Sequence, residues 1–130
     1  MTVNPTNLRY TKDHEWIKVE GTKGIVGVTN FAQQQLGDIV YVDMPQTGTS
    51  LTAGKTFGVV ESVKTVSDIL APVSGKVIAK NSDLENDPAL VNQDPYGRGW
   101  IIEVELSDPE EQKNLMDADS YEKHCNQCEH

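Results

Sequence analysis

The segment from residue 57 to residue 72 constrains the fold most strongly, because its sequence is nearly mirrored about the bond between Lys64 and Thr65. Opposite residues of an antiparallel hairpin share a face of the sheet, so mirrored character favours such a hairpin. The predicted pairs are 63 with 66, 62 with 67, 61 with 68, 60 with 69 and 59 with 70. Lys64 is therefore expected at the apex of a tight turn, pointing away from the core.

A lysine at the tip of a hairpin can have two roles. Turns are mostly polar, so Lys64 can simply keep the turn hydrated. A protruding primary amine on a rigid hairpin can also enter the active site of an acylating enzyme, and acylation would leave a long uncharged arm. The Lys-Thr pair is not the Asn-Gly type that two-residue hairpins favour, so a type I turn or a slightly longer loop is expected.

Short apolar or alternating segments, bounded by turn residues, predict strands through most of the chain. These strands are expected at residues 15–20, 24–28, 39–42, 57–62, 66–70, 75–79 and 100–106. Residues 37–43 and 75–81 share a similar pattern at an offset of 38 positions. Two similar half-sheets that face each other would leave such a repeat.

Helices are predicted at three places between or after these strands. The first covers residues 29–36, with a loose capping box that starts at Asn30. The second starts with Asp87 as its cap, because a proline suitable for the first turn follows. The third starts at Ser107, is interrupted near residues 117–119 and continues to the end.

The length and the charge limit the functions open to the chain. Its 130 residues fit one domain, 1–130, with a core at about 8–106 and a helical segment at 107–130. The net charge is -9, and residues 103–130 hold nine acids against two bases. Acidic surfaces repel phosphate backbones, so nucleic-acid binding is not expected. The acidic end can steer the chain toward basic partners or can simply be a hydrated helix.

No apolar run approaches the ~20 residues that span a bilayer, so no membrane association is expected. The first seven residues carry no basic side chain and match neither a signal peptide nor an Arg-rich transit peptide. This predicts a cytoplasmic location in a bacterium, or the mitochondrial matrix if a presequence has been removed.

The last residues combine Cys125 and Cys128 with His124 and His130. These side chains could bind zinc or copper, or the two thiols could form a redox pair. A single C-x-x-C without a second pair is a weak metal signal, and the thiols share a helical face. We therefore expect the cysteines to pack against the body, and we predict no metal site.

Several separate blocks of the chain carry recognisable motifs. The central block is E-S-V-K-T-V-S-D at residues 61–68. The other blocks are residues 10–16, 27–32, 36–45, 71–75, 90–97 and 99–100. In this order, the blocks resemble the family of the glycine cleavage system H protein, and the central block looks like its lipoylation segment. The C-terminal tail shows no recognisable family pattern.

The resemblance implies a mainly β fold, a barrel-sandwich hybrid of two small antiparallel sheets with short peripheral and C-terminal helices. It implies a carrier without catalytic residues, with lipoic acid attached to Lys64. The arm would take an aminomethyl group from glycine decarboxylase to an aminomethyltransferase and would then be reoxidised by dihydrolipoamide dehydrogenase.

The resemblance also implies roles for three acids. Glu15 matches a position beside the cleft that shelters the loaded arm, where it would contact the amino group; otherwise it is a hydrated strand carboxylate. Glu61 and Asp68 flank the tip and would orient the lipoate-attaching enzyme, or they are only cross-strand polar residues. His14 has no metal partner in the sequence and is expected to be structural or exposed.

Two other functions remain open at this stage. A lipoyl carrier of another pathway, such as lipoate relay or sulfur metabolism, would use the same lysine chemistry. A biotin carrier shares the architecture, but biotinyl domains resemble Met-Lys-Met at the tip, whereas Val63 and Thr65 flank the lysine here. An enzyme is disfavoured because no catalytic triad, metal set or acid pair converges by spacing.

Overall fold

The computed structural model describes residues 7–128, with the side chains of residues 7–108 and 110–125. The strands are β1 (Arg9–Tyr10), β2 (Glu15–Glu20), β3 (Lys23–Val28), β4 (Ile39–Asp43), β5 (Ser50–Leu51), β6 (Thr56–Ser62), β7 (Val66–Leu70), β8 (Gly75–Lys80) and β9 (Ile102–Leu106). The helices are α1 (Asn30–Leu36), α2 (Asp83–Asn86), α3 (Leu90–Gln93) and α4 (Ala118–Cys128), and a 3-10 helix covers Pro109–Asn114. None of the described helices is long and apolar enough to cross a membrane.

The described strands form two antiparallel sheets. The larger has the order β1-β2-β3-β9-β8-β5, and the smaller has the order β4-β6-β7. Ile17 and Val26 of the larger sheet share one core with Val60 and Ile69 of the smaller sheet. All four are at most 2% exposed, and buried apolar surface stabilises a fold by about 25 cal/mol per Å². The repeated pattern falls on β4 and β8, one strand in each sheet, in agreement with its interpretation as two facing half-sheets.

A second cluster joins the C-terminal helix to the larger sheet. Its buried members are Leu8, Tyr10, Trp16, Ala118, Tyr121 and Cys125. The rings of Tyr10 and Tyr121 are stacked with their centroids 4.7 Å apart. Cys125 is buried, so its predicted packing is confirmed. The side chain of Cys128 and the whole of His130 lie outside the described part of the chain.

The predicted hairpin is formed by β6 and β7, but the predicted register is wrong. Glu61 lies opposite Val66 rather than opposite Asp68. The centre of the turn therefore lies between Val63 and Lys64, one residue earlier than predicted. Residues 59–61 of β6 each lie opposite a β7 residue two positions before the predicted one. An even shift leaves every one of these side chains on the face that the mirrored pattern assigned to it.

The cap of α1 also differs from the prediction. Thr29 is the capping residue, because its Oγ1 accepts the main-chain N–H of Ala32 at 3.2 Å. The Oδ1 of Asn30 is instead occupied by Nε2 of Gln33 at 2.7 Å. The threonine hydroxyl one position before Asn30 therefore caps the helix.

Two later helix starts are also displaced. Asp87 ends α2, and α3 begins only at residue 90, so Asp87 does not cap α3. Asp108 caps the 3-10 helix through Oδ1, which accepts the N–H of Glu110 at 3.0 Å, in place of the predicted Ser107. The expected interruption before the last helix lies at residues 115–117. β5 and α2 were not predicted, because two and four residues are too few to show a period.

Candidate functional site

Lys64 lies in a two-residue turn that Ser62 and Thr65 close. The N–H of Ser62 donates to the carbonyl of Thr65 at 2.8 Å. The Ser62 hydroxyl oxygen accepts the N–H groups of Lys64 and Thr65 at 3.2 and 3.1 Å. The N–H of Val63 donates to the carbonyl of Asp38 at 3.0 Å, which ties the tip to the segment after α1. The serine hydroxyl thus stabilises a turn without Asn or Gly and explains the shifted register.

The stem of the exposed Lys64 side chain lies against the main chain of Gly37. A Cβ atom at Gly37 would be 3.0 Å from Cε of Lys64, and the φ of +80° also favours glycine at this position. Asn92 fixes this segment, because its Nδ2 donates to the Gly37 carbonyl at 2.8 Å and its Oδ1 accepts the N–H of Ile39 at 2.9 Å. The lysine therefore stands on a firmly held surface that leaves room for its stem.

Glu61 and Asp68 lie on the outer face of the smaller sheet, but they are not directly opposite each other. Glu61 lies between Tyr41 and Val66 in one cross-strand row. Asp68 lies opposite Val59 in the next row. The two acids are diagonal neighbours on the face that adjoins the tip, and Asp68 is the more exposed of the two.

Glu15 begins β2 with a buried carboxyl group, and the residue is only 2% exposed. Thr11 Oγ1 donates to Oε1 at 2.6 Å, and the N–H of Leu70 donates to Oε2 at 3.3 Å. Burial raises the pKa of the Glu15 carboxyl to about 7, the two hydrogen bonds oppose this rise, and the charge of Asp13 adds to it. The alternative of a hydrated strand carboxylate is therefore wrong, and this group can exchange its proton near neutral pH.

Glu15 lines a cleft of about 330 Å³ between β2, the end of β7 and the 3-10 helix. Its walls include Tyr10, Leu70, Pro72, Leu115 and Met116, and the Thr11 side chain lies beside the carboxyl group. A mainly apolar cleft with a few polar groups is typical of a site that holds a small ligand. The sequence suggested Glu15, but nothing local in it predicted the walls, because they come from three distant segments.

His14 connects the residue before Glu15 to the C-terminal helix. Its φ is 71°, which is unusual for a residue other than glycine. Its Nδ1 lies 2.7 Å from the hydroxyl of Tyr121, which lies 2.7 Å from Oγ1 of Thr29. Burial lowers the pKa of the His14 imidazole, and the nearby His124 acts in the same direction. His14 is thus structural, as expected, but a contact across 107 residues has no sequence signal.

The site therefore has two parts with different chemistry. Lys64 provides an exposed primary amine on a rigid turn, and the cleft provides a buried carboxyl group among mainly apolar walls. Within the described residues, no group of three or more His, Cys, Asp or Glu side chains could hold a metal ion. An amine that can be acylated and an enclosed space for a small group suit a carrier.

The fold defines the class of the protein as a lipoyl/biotinyl-type barrel-sandwich domain, as the resemblance implied. A crystal structure of a glycine cleavage system H protein from Mycobacterium marinum matches it with a TM-score of 0.84 and 37% identity. The match covers 95% of this chain and 99% of that chain. The family model described as "Glycine cleavage H-protein" matches residues 8–128.

Two relatives that carry the name glycine cleavage system H protein agree with this match. The chain is 58% identical to the one from Symbiobacterium thermophilum over 118 residues, which cover 91% of this chain and 92% of the relative. It is 53% identical to the one from Carboxydothermus hydrogenoformans over 123 residues, or 95% of each chain. The chain therefore belongs to the glycine cleavage H-protein family.

Proposed function

We propose that the protein is the lipoyl carrier of the glycine cleavage system and is not itself an enzyme. Lys64 would carry one lipoic acid per chain in amide linkage. The carrier would serve glycine decarboxylase (P protein), the aminomethyltransferase (T protein) and dihydrolipoamide dehydrogenase (L protein). The chain would act as one domain, residues 1–130, with the core at about 8–106 and the helical segment at 107–130.

The setting of Lys64 is the observation that carries this proposal. The amine is exposed, the turn beneath it is closed by four hydrogen bonds within four residues, and Gly37 leaves space for its stem. Such a turn would keep the attachment point fixed while the lipoyl arm moves. Acylation would also remove the positive charge, so the arm could enter an apolar cleft.

The distance from the tip to the cleft suits a lipoyl arm. β7 runs from Val66 beside the tip to Leu70 in the cleft wall, which is about 13 Å at roughly 3.3 Å per residue. A lysine side chain with an eight-carbon acyl group contains about thirteen successive bonds of roughly 1.5 Å each. The arm is therefore long enough to span this distance.

Lipoic acid supplies a five-membered disulfide ring, which takes up and returns electrons by thiol–disulfide chemistry. The residues of the chain would hold and shelter its loaded end. Glu15 would accept a hydrogen bond from an amine in the cleft, and a nearby ammonium group would favour the ionised carboxyl. Tyr10, Leu70 and Pro72 would exclude water, which protects a group that hydrolyses easily.

We assign Glu61 and Asp68 to contacts with the lipoate-attaching enzyme, because both acids lie on the face that adjoins the tip. Basic groups of that enzyme would pair with them and would steer its approach. The absence of nucleic-acid and membrane partners, and the cytoplasmic location, stay predictions.

Reconstitution with purified glycine decarboxylase tests this function. Lipoylated wild-type protein is expected to support glycine–CO2 exchange, and Lys64→Arg is expected to lose it because the variant cannot be lipoylated. Lys76→Arg is the matched control, since Lys76 is exposed on the other sheet. A lipoylated wild-type chain that supports no exchange would instead indicate a lipoyl carrier of another pathway.

A further inference from the structure

Most of the large apolar side chains that are exposed in the described part of the chain lie beside the hairpin tip. Val40 is 52% exposed, Tyr41 51%, Val63 67% and Val66 62%. We call these four side chains the outer patch. The remaining large exposed apolar side chain among the described residues, Ile78, belongs to the other sheet and is 37% exposed. Single exposed apolar side chains are normal, whereas a cluster of them indicates a contact surface.

A β-bulge in β4 exposes two consecutive residues of the outer patch, Val40 and Tyr41. Ile39 pairs with Ser62 and Tyr41 pairs with Glu61, so Val40 is an additional residue in the strand. Because of this residue, Val40 and Tyr41 both point outward, while Ile39 on one side stays 3% exposed in the core. Bulges often redirect side chains at functional edges. The chain thus places an aromatic and an aliphatic side chain in water where regular pairing would bury one of them.

The outer patch is continuous with the surface around Lys64. Tyr41 and Val66 lie on either side of Glu61 in one cross-strand row. Val63 occupies the turn next to Lys64 and is bonded to the segment that leads into β4. The lysine stem rests on the start of that same segment at Gly37. A protein that encloses the lysine amine must therefore also cover the outer patch.

The two segments that form the outer patch carry mainly negative charge, and Lys80, which lines a recess beside Tyr41, is paired with Glu85 at 3.3 Å. The segments 37–43 and 56–70 carry Asp38, Asp43, Glu61 and Asp68, and their only base is Lys64. A complementary surface has an apolar centre and basic groups at its rim.

We propose that the outer patch is the docking surface for the enzyme that attaches the lipoyl group to Lys64. This inference rests on the proposed function. The attaching enzyme must bring its active site to the lysine amine itself, whereas the other partners meet the far end of an arm of about thirteen bonds. Its footprint therefore has to include the residues that surround the tip. Val40 and Tyr41 extend this footprint beyond the acids to a third strand.

Lipoylation kinetics of the full unmodified chain test the inference, with a lipoate–protein ligase, lipoate and ATP as reagents and intact mass as the readout. The double variant Val40→Ser/Tyr41→Ser is expected to lower kcat/KM for the chain about tenfold or more, because anchors at an interface centre dominate its affinity. Ile78→Ser is the matched control and is expected to stay within about twofold of the wild type. Lipoylation of the double variant at the wild-type rate would overturn the inference and leave the proposed function intact.

Two further measurements keep the test decisive. Tyr41→Lys, which changes only one exposed side chain, is expected to lower kcat/KM in the same way, because it would bury a charge against the apolar centre of the partner surface, whose rim is itself basic. Once fully lipoylated by excess ligase, the double variant is expected to support glycine–CO2 exchange at the wild-type rate. Normal lipoylation with impaired exchange would assign the outer patch to the decarboxylase and overturn the inference. A wild-type chain that is never lipoylated at Lys64 would overturn both proposals.

Discussion

The hairpin tip and the cleft hold their polar groups in opposite ways. At the tip, the Ser62 hydroxyl bonds to main-chain groups within three positions in the chain, and the Lys64 side chain is exposed to water. In the cleft, Glu15 accepts a hydrogen bond from Leu70, 55 positions away, and is almost completely buried. The proposed attachment would need an accessible amine on a local turn, whereas the proposed sheltering of a loaded group would need a buried carboxyl group that only the complete fold can provide.

The largest contrast is expected along β7, which reaches both regions. Ile69 is 2% exposed and Val66 is 62% exposed on the same strand. Ile69→Ala is expected to lower the free energy of unfolding by about 2–5 kcal/mol, because it leaves a cavity in the core. Val66→Ala is expected to change it by less than about 0.5 kcal/mol. Urea denaturation measures both values, and equal losses would contradict the assignment of faces.

The pH dependence of stability should show the effect of burying the Glu15 carboxyl group in the cleft. The pKa of Glu15 rises from 4.5 to about 7 on folding, so its contribution to stability is complete below pH 4.5 and is lost as the pH rises through 7. Glu15→Gln removes this loss. Relative to the wild type, the variant is therefore expected to gain about 3 kcal/mol between pH 4 and pH 9.

Denaturant titration at several pH values measures this difference between Glu15→Gln and the wild type. Parallel stability curves for the two proteins would show that the Glu15 carboxyl is not desolvated.

A smaller loss of stability is expected when the C-terminal helix loses its hydroxyl contact with the segment before Glu15. Tyr121→Phe keeps the ring that stacks on Tyr10 but removes the hydroxyl that contacts His14 and Thr29. Loss of a hydroxyl at a buried position is expected to cost about 1–3 kcal/mol. Calorimetry gives the loss, and NMR titration of Glu15 shows whether the cleft changes with it. An unchanged melting temperature would mean that this contact does not stabilise the helix.

A still smaller loss of stability is expected when the hydrogen bonds of the hairpin tip are removed. Ser62→Ala removes the hydroxyl oxygen that accepts two main-chain N–H groups, but these groups are exposed and can bond to water. The expected loss of stability is about 1 kcal/mol or less. Hydrogen exchange of the Lys64 and Thr65 amides should accelerate in the variant. Unchanged exchange would show that the hydroxyl does not hold the turn.

The sequence predicted the tip better than it predicted the cleft, for a physical reason. Mirrored residue types on either side of Lys64 report on local pairing, which depends on neighbours in the chain. The hairpin and the faces of its side chains were therefore predicted correctly. The centre of the turn was predicted one residue too late in the chain. The error came from Ser62, whose hydroxyl replaces the usual turn residues, and residue class alone does not show which serine will do so.

The cleft depends on contacts that no local pattern records. Family resemblance pointed to Glu15, but its burial depends on Leu70 and on the segment around Leu115, which are far away in the sequence. The contact between His14 and Tyr121 spans 107 residues. Short elements such as β5 and α2 were missed for a related reason, because they form where tertiary packing places them.

The most direct test of the account is the mass of the full chain after expression with lipoate and an active attaching enzyme, followed by peptide mapping. The account predicts a gain of one lipoyl group, located entirely on the peptide that contains Lys64. A chain that gains no lipoyl group under these conditions, or that carries it on a different lysine, would contradict the account.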